Sequence, residues 1–218
     1  MLKPLVIAHA CNSLGRVAKC ISQGANVIEI DVYSYGGELI AYHPPDPVVP
    51  VSRVKRFIES IRYSVKRSRA PKLRDLLSEV LKYPIGIWLD LKVPRIEDSV
   101  CKLVMELGIS DERLYFSSAY HYSLRVIKEL LPKSRTFISL SERPVDPYYV
   151  AKCAQADGVS IRIDFLDREL VEQLHTHGIK VVVWTLNDEG QIINAVKLGV
   201  DGIVTDIPEL VKRLLSGY

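Results

Sequence analysis

Glu29 and Asp31 stand two residues apart in the apolar run "VIEIDVY" at 27–33. Side chains two apart in an extended strand share a face, so both carboxylates lie on one side and Ile28, Ile30 and Val32 on the other. Two like charges in one partly buried site repel, and one is held protonated unless a cation joins them. Asp90, late in "GIWLDLK" at 86–92, can add a third oxygen. Three hard oxygen donors suit Mg²⁺ or Ca²⁺. The simpler alternative is a single buried carboxylate neutralised by Lys92 or Arg162. Two histidines belong to the same picture. His9 ends the run "LVIAH" at 5–9, and His43 ends the apolar run that follows Gly36 and Gly37. A Gly-Gly pair suits a two-residue hairpin turn, which sets residue 43 opposite residue 30 and returns His43 to the carboxylates. Two histidines beside a metal can divide the work of general base and general acid.

These residues need a scaffold that brings several strand ends together. Apolar, β-branched runs occur at 5–9, 27–33, 86–92, 114–118, 136–140, 158–163, 180–185 and 202–206. Between them lie stretches with helical spacing, such as Leu124, Ile127, Lys128 and Leu131. Ser13, Asp167 and Asn187 are placed to start helices, and Gly24, Gly178 and Gly199 to stop them. Eight strand–helix units predict an α/β fold of the (β/α)₈ (TIM) barrel type, one domain over 1–218, with a small hairpin and helix inserted after the second strand. An open doubly wound sheet fits less well, because no GxGxxG or GxxxxGK[ST] loop occurs. A barrel gathers function at the C-terminal ends of its strands. His9, Glu29, Asp31, Asp90, Lys92, Ser117, Ser118, Arg162 and Asp206 all fall there.

The formal net charge of +3 is too small to argue for nucleic acid. No apolar run reaches the roughly 18 residues that span a bilayer, and the first residues lack the pattern of a signal peptide, which points to a cytoplasmic protein. Cys11, Cys20, Cys101 and Cys153 show no metal-ligand spacing and read as small buried thiols. Residues 53–74 carry nine Lys or Arg and one acid, Glu59, around an apolar stripe. This basic helix is either an ordinary solvated face or a surface for anionic headgroups on a membrane. Ser117 and Ser118 lack a histidine at a spacing that would make either a nucleophile. His121 falls on a helix, and His175 and His177 close one, where cationic side chains suit the helix dipole. The oligomeric state is open.

The histidine after the first strand, "GANVIEIDV", and a hairpin ending in histidine together resemble the glycerophosphodiester phosphodiesterases. The likeness continues through "APKLRDLLSEVL", "YFSSAYHYSLRVIKELLP", "HGIKVVVWTLND" and "GVDGIVTDIPE". The resemblance implies a barrel that binds a divalent metal, Mg or Ca, and hydrolyses glycerophosphodiesters to glycerol phosphate and an alcohol. It further implies Glu29, Asp31 and Asp90 as metal ligands, His9 and His43 as the acid–base pair, and Trp184 as a pocket wall. Three departures stand out: "HAC" replaces the family's HRG, His43 is followed by Pro44, and Asp90 replaces the usual Glu. His9 with Asn12, and "DLK" at 90–92, are similar instead to sphingomyelinase D-like phospholipases, which implies Asn12 and Lys92 as substrate contacts. That group cleaves lysolipids and can leave a cyclic phosphate. A barrel that binds phosphoesters without turnover is the remaining alternative.

Overall fold

The computed structural model describes residues 3–44 and 63–217. Its parallel strands are β1 (Leu5–Ala8), β2 (Val27–Tyr35), β4 (Gly86–Leu91), β5 (Leu114–Ser118), β6 (Arg135–Leu140), β7 (Gly158–Arg162), β8 (Lys180–Trp184) and β9 (Gly202–Thr205), with β3 (Glu38–Ala41) antiparallel to β2. The order β1-β9-β8-β7-β6-β5-β4-β2-β3 closes through the β1–β2 pairing, giving eight parallel strands in a ring. Helices α1 (Leu14–Ser22), α2 (Leu73–Val80), α3 (Glu97–Glu106), α4 (His121–Leu130), α5 (Pro147–Cys153), α6 (Arg168–Thr176), α7 (Glu189–Leu198) and α8 (Pro208–Leu215) lie between or after the strands. This is the (β/α)₈ barrel that the sequence pattern predicts.

The two faces of each strand feed two separate cores. Val6, Ala8, Ile28, Ile30, Leu89, Ile138 and Ile161 point outward and pack with the helices. Ile7, Val27, Trp88, Phe137, Val182 and Val204 point inward and fill the barrel. Trp88 stacks on Tyr115 at 5.6 Å and meets Phe137 at 4.6 Å, contacts worth about 0.5–1.5 kcal/mol each beyond area burial. A glycine makes room for this cluster. A Cβ on Gly158, at the start of β7, would lie 2.3 Å from a Phe137 ring carbon.

Helix starts follow side-chain caps. Ser13, Asp146, Asp167 and Asp188 accept from the backbone N–H three residues on, satisfying donors that helix geometry leaves free. The start of α7 departs from expectation, since Asp188 and not Asn187 is its cap. Asn187 is drawn away by Asp206, as described below. Gly24, Gly178 and Gly199 follow helix ends at positive φ, as their positions predict.

Gly36 and Gly37 both have positive φ, the geometry of a type I′ turn, and β3 pairs with β2 so that Val32 faces Ala41. Residues 53–62 of the basic stretch lie outside the described residues. Within 63–74, Lys72 pairs with Glu38 at 2.6 Å, Arg74 with Glu106 at 2.5 Å, and Arg67 lies over the Tyr35 ring at 4.4 Å. No helix among the described residues is long and apolar enough to cross a membrane.

Candidate active site

The register of neighbouring strands assembles the acids. Asp31 on β2 pairs with Asp90 on β4, and Glu29 with Trp88, so all four project inward at the C-terminal mouth. One carboxylate oxygen from each of Glu29, Asp31 and Asp90 lies within 4.8 Å of the others. Glu29 and Asp31 are buried. Lys92, just past β4, sets its ammonium 2.8 Å from Asp31 Oδ1 and in contact with Asp90 Oδ2. The backbone N–H of Ala10 donates to Glu29 Oε2 at 2.5 Å, aimed there by the left-handed backbone of Ala10 at φ 49°.

Three carboxylates and one ammonium leave the cluster two charges negative if every acid ionises. Burial, then the charges of Asp31 and Asp90, push the Glu29 carboxyl well above its usual range. Burial pushes Asp31 up as well, but the Lys92 ammonium and the Asn12 amide outweigh it and hold Asp31 below its usual range. For Lys92, burial works against the charge and the acids outweigh it, raising its pKa. A divalent cation would neutralise such a set. The donors are all carboxylate oxygens, without histidine or thiolate, which fits a hard ion.

Two further side chains fix the acids. Asn12 donates to Asp31 Oδ2 at 2.6 Å and accepts from the Asp31 N–H at 3.0 Å. One N–H and the oxygen of its amide thus position Asp31. Trp88 Nε1–H donates to Ser117 Oγ at 2.8 Å, and the Ser117 hydroxyl donates to Asp90 Oδ1 at 2.8 Å. Ser117 was unpromising as a nucleophile, and its place is behind a carboxylate. Its strand alternation with Tyr115, beside that of Trp88 and Asp90, is the signal in the sequence that could have located it.

His9 leaves β1 with its Nδ1 2.9 Å from Asp206 Oδ1. Asp206 is itself held on three sides. Asn187 Nδ2 donates to Asp206 Oδ2 at 2.6 Å, Asn187 Oδ1 accepts from the Asp206 N–H and from Thr205 Oγ1, and Arg16 reaches the Asp206 carbonyl at 3.0 Å. Burial raises the Asp206 carboxyl, but His9, Asn187 and Arg16 together hold it below its usual range. A carboxylate on Nδ1 presents the other ring nitrogen, Nε2, as the working atom. His43 follows β3 with its Nδ1 2.6 Å from the Pro44 carbonyl, which likewise frees Nε2.

His9, Glu29, His43, Asp90, Lys92 and Trp184 line one cavity of about 270 Å³ at the mouth of the barrel. Ser139 and Ser160 line its far side. Arg162 pairs with Asp164 at 2.7 Å and not with the acid cluster. His175 pairs with Asp201 at 2.8 Å and His177 stacks on Tyr148 at 3.9 Å, both away from this cavity.

Comparison with known proteins points the same way. The chain is 26% identical over 242 residues to a glycerophosphodiester phosphodiesterase of Caldanaerobacter subterraneus, covering 98% of both chains. It is also 27% identical to a dermonecrotic toxin of the spider Loxosceles intermedia, covering 96% of this chain and 82% of the toxin. Among solved structures, an Oleispira antarctica phosphodiesterase in complex with the product sn-glycerol-3-phosphate superposes with a TM-score of 0.77 at 22% identity, covering 98% of this chain and 97% of that one. The model of the glycerophosphoryl diester phosphodiesterase family matches residues 63–210, more than half of the sequence, and the chain belongs to that family.

Proposed function

We propose that the cavity hydrolyses glycerophosphodiesters to glycerol phosphate and an alcohol, with a divalent cation held by Glu29, Asp31 and Asp90 and with His9 and His43 as the acid–base pair. The observation that carries this reading is the convergence of three carboxylates within 4.8 Å of one another, two of which, Glu29 and Asp90, line the same cavity as both histidines. A bound divalent cation neutralises charge on the phosphoryl oxygens in the transition state. The all-oxygen donor set favours Mg²⁺ or Ca²⁺.

This chain's own groups do the rest. Lys92 lies beside the acids and supplies the positive charge nearest the phosphate, in the place of the family arginine that Ala10 replaces. One histidine takes a proton at Nε2 from the attacking hydroxyl. The other gives a proton from Nε2 to the departing alkoxide. Asp206 and the Pro44 carbonyl orient the two rings for these transfers. Trp184 closes one wall of the cavity. The basic segment 53–74 is a candidate for contact with anionic lipid.

A second reading has specific support. The His9–Asn12 and Asp90–Lys92 pairs match the phospholipase D-like pattern, and the Loxosceles toxin is among the relatives. The attacking hydroxyl would then be the substrate's own, the product a cyclic phosphate and the substrate a lysolipid. Incubation with glycerophosphocholine and a divalent metal, followed by assay of glycerol phosphate, tests the leading reading. His9→Ala and His43→Ala should each lower turnover by orders of magnitude, and near-normal rates in both would sink the assignment.

A further inference from the structure

The far side of the cavity carries information about the substrate that the acids and histidines do not. Ser139 on β6 and Ser160 on β7 are partners in register, and both line the cavity, with Ser141 just past the end of β6. Among the described residues, none of these three hydroxyls has a hydrogen-bond partner, whereas Ser117 and Ser118, on the adjacent strand, are both engaged. Ser160 is only 5% exposed. A hydroxyl that faces a cavity and is not spent on the protein is free to donate to and accept from a ligand. The indole N–H of Trp184, on β8, is also buried and, among the described residues, unpartnered. Strands β6, β7 and β8 thus offer an arc of uncommitted donors and acceptors across the barrel from the acids.

The charges in the cavity are equally informative. Among the described residues its carboxylates are Glu29 and Asp90, both of the metal set, and its other ionisable side chains are His9, His43, Lys92 and Tyr120. Among the described residues, an ammonium headgroup would meet Lys92 and a cation on the acids with no free carboxylate to pair with, leaving it only the faces of Trp184 and Tyr120. A neutral alcohol bearing several hydroxyls meets the serine arc on equal terms. Adjacent strands lie about 4.8 Å apart, so Ser139 and Ser160 are spaced to bind neighbouring hydroxyls of a single polyol. Each serine can both donate and accept.

We infer that the alcohol esterified opposite the glycerol is itself a polyol, such as glycerol or a cyclitol, and not an amino alcohol such as choline or ethanolamine. This rests on the phosphodiesterase reading above and names its substrate class. A site built to hydrogen-bond hydroxyls discriminates against a ligand lacking them, because its own buried groups are then left unpaired.

The test is a comparison of kcat/KM for glycerophosphoglycerol, glycerophosphoinositol and glycerophosphocholine with the purified protein and Mg²⁺. The expected result is a preference of at least tenfold for one or both polyol diesters. In a Ser139→Ala/Ser160→Ala variant with an unchanged thermal transition, the ratio of polyol to choline diester should fall to within about twofold of unity. Glycerophosphocholine cleaved as well as or better than both polyol diesters overturns the inference and leaves the phosphodiesterase reading standing. An unaltered ratio in the double variant also overturns it. Absence of turnover on all three diesters overturns the phosphodiesterase reading, and this inference with it.

Discussion

Asp206→Asn changes one atom and should cost about 10²-fold in kcat. Asn187 is pinned, because its Oδ1 accepts from both the Asp206 N–H and Thr205 Oγ1, so its NH₂ must point at position 206. An asparagine there has to turn its carbonyl oxygen toward Asn187, which leaves its own NH₂ facing His9 Nδ1. His9 must then accept at Nδ1 and carry its proton on Nε2, the wrong tautomer for a base at that nitrogen. Turning the amide round instead sets two NH₂ groups against each other, at a cost of about 1–3 kcal/mol. The variant also loses a negative charge beside the imidazolium that forms during turnover. At roughly 4 Å such a pair is worth about 1 kcal/mol in water and about 4 kcal/mol at an effective dielectric of 20. Side chains 31% and 45% exposed belong near the lower figure, about 1–2 kcal/mol. Together these give about 3 kcal/mol, or roughly 10²-fold. The assay is single-substrate kinetics at saturating Mg²⁺, with metal affinity and thermal transition measured alongside, since neither should move greatly. A cycle with His9→Ala completes it, because once the imidazole is gone Asp206→Asn should have little further effect. A kcat within threefold of the parent, or full additivity with His9→Ala, refutes the reasoning.

Three other outcomes are expected. Since burial and two neighbouring acids raise the Glu29 carboxyl well above its usual range, protons compete with Mg²⁺ for it and binding should weaken as the pH falls; titration calorimetry across pH reads this, and an affinity independent of pH contradicts it. Ser117→Ala removes the hydroxyl that orients Asp90 and should weaken metal binding by about 10- to 100-fold, while keeping the fold; an unchanged Kd rules out the positioning role. Burial raises the Asp201 carboxyl, but Lys180, the Val181 N–H and His175 outweigh it and hold it low. Its stabilisation is therefore present above the unfolded value of about 4 and is lost as the pH falls through the lower folded value. Asp201→Asn should cost about 1–2 kcal/mol at neutral pH, roughly 2–8 °C in Tm, and flatten the acid limb of the stability profile, as thermal melts between pH 3 and 7 will show.

The barrel and the acids were legible because both depend on local periodicity. Glu29 and Asp31 break an apolar strand at a spacing of two, and Gly36 and Gly37 announce the turn that returns His43. The partners of these residues were not legible, because they depend on ring closure. His9 and Asp206 are 197 positions apart and meet only because β1 pairs with β9. Asn187 has the composition of a helix cap, and nothing local shows that Asp206 competes for it. Asn12 was visible as a polar residue near the site, but its commitment to Asp31 needs the register of β1 and β2. Ser117 was discounted for want of a histidine, when its partners are the neighbouring strand's Trp88 and Asp90.

The central claim is that a divalent cation on Glu29, Asp31 and Asp90 enables this cavity to cleave a glycerophosphodiester. The most direct measurement is ³¹P NMR of a glycerophosphodiester incubated with the protein across a titration of free Mg²⁺, for the parent chain and for Glu29→Gln. The account predicts a glycerol phosphate signal that grows with Mg²⁺ and saturates in the parent, with a higher metal requirement and a much lower rate in the variant. Turnover that persists in excess chelator, or that is equal in both proteins, would contradict it.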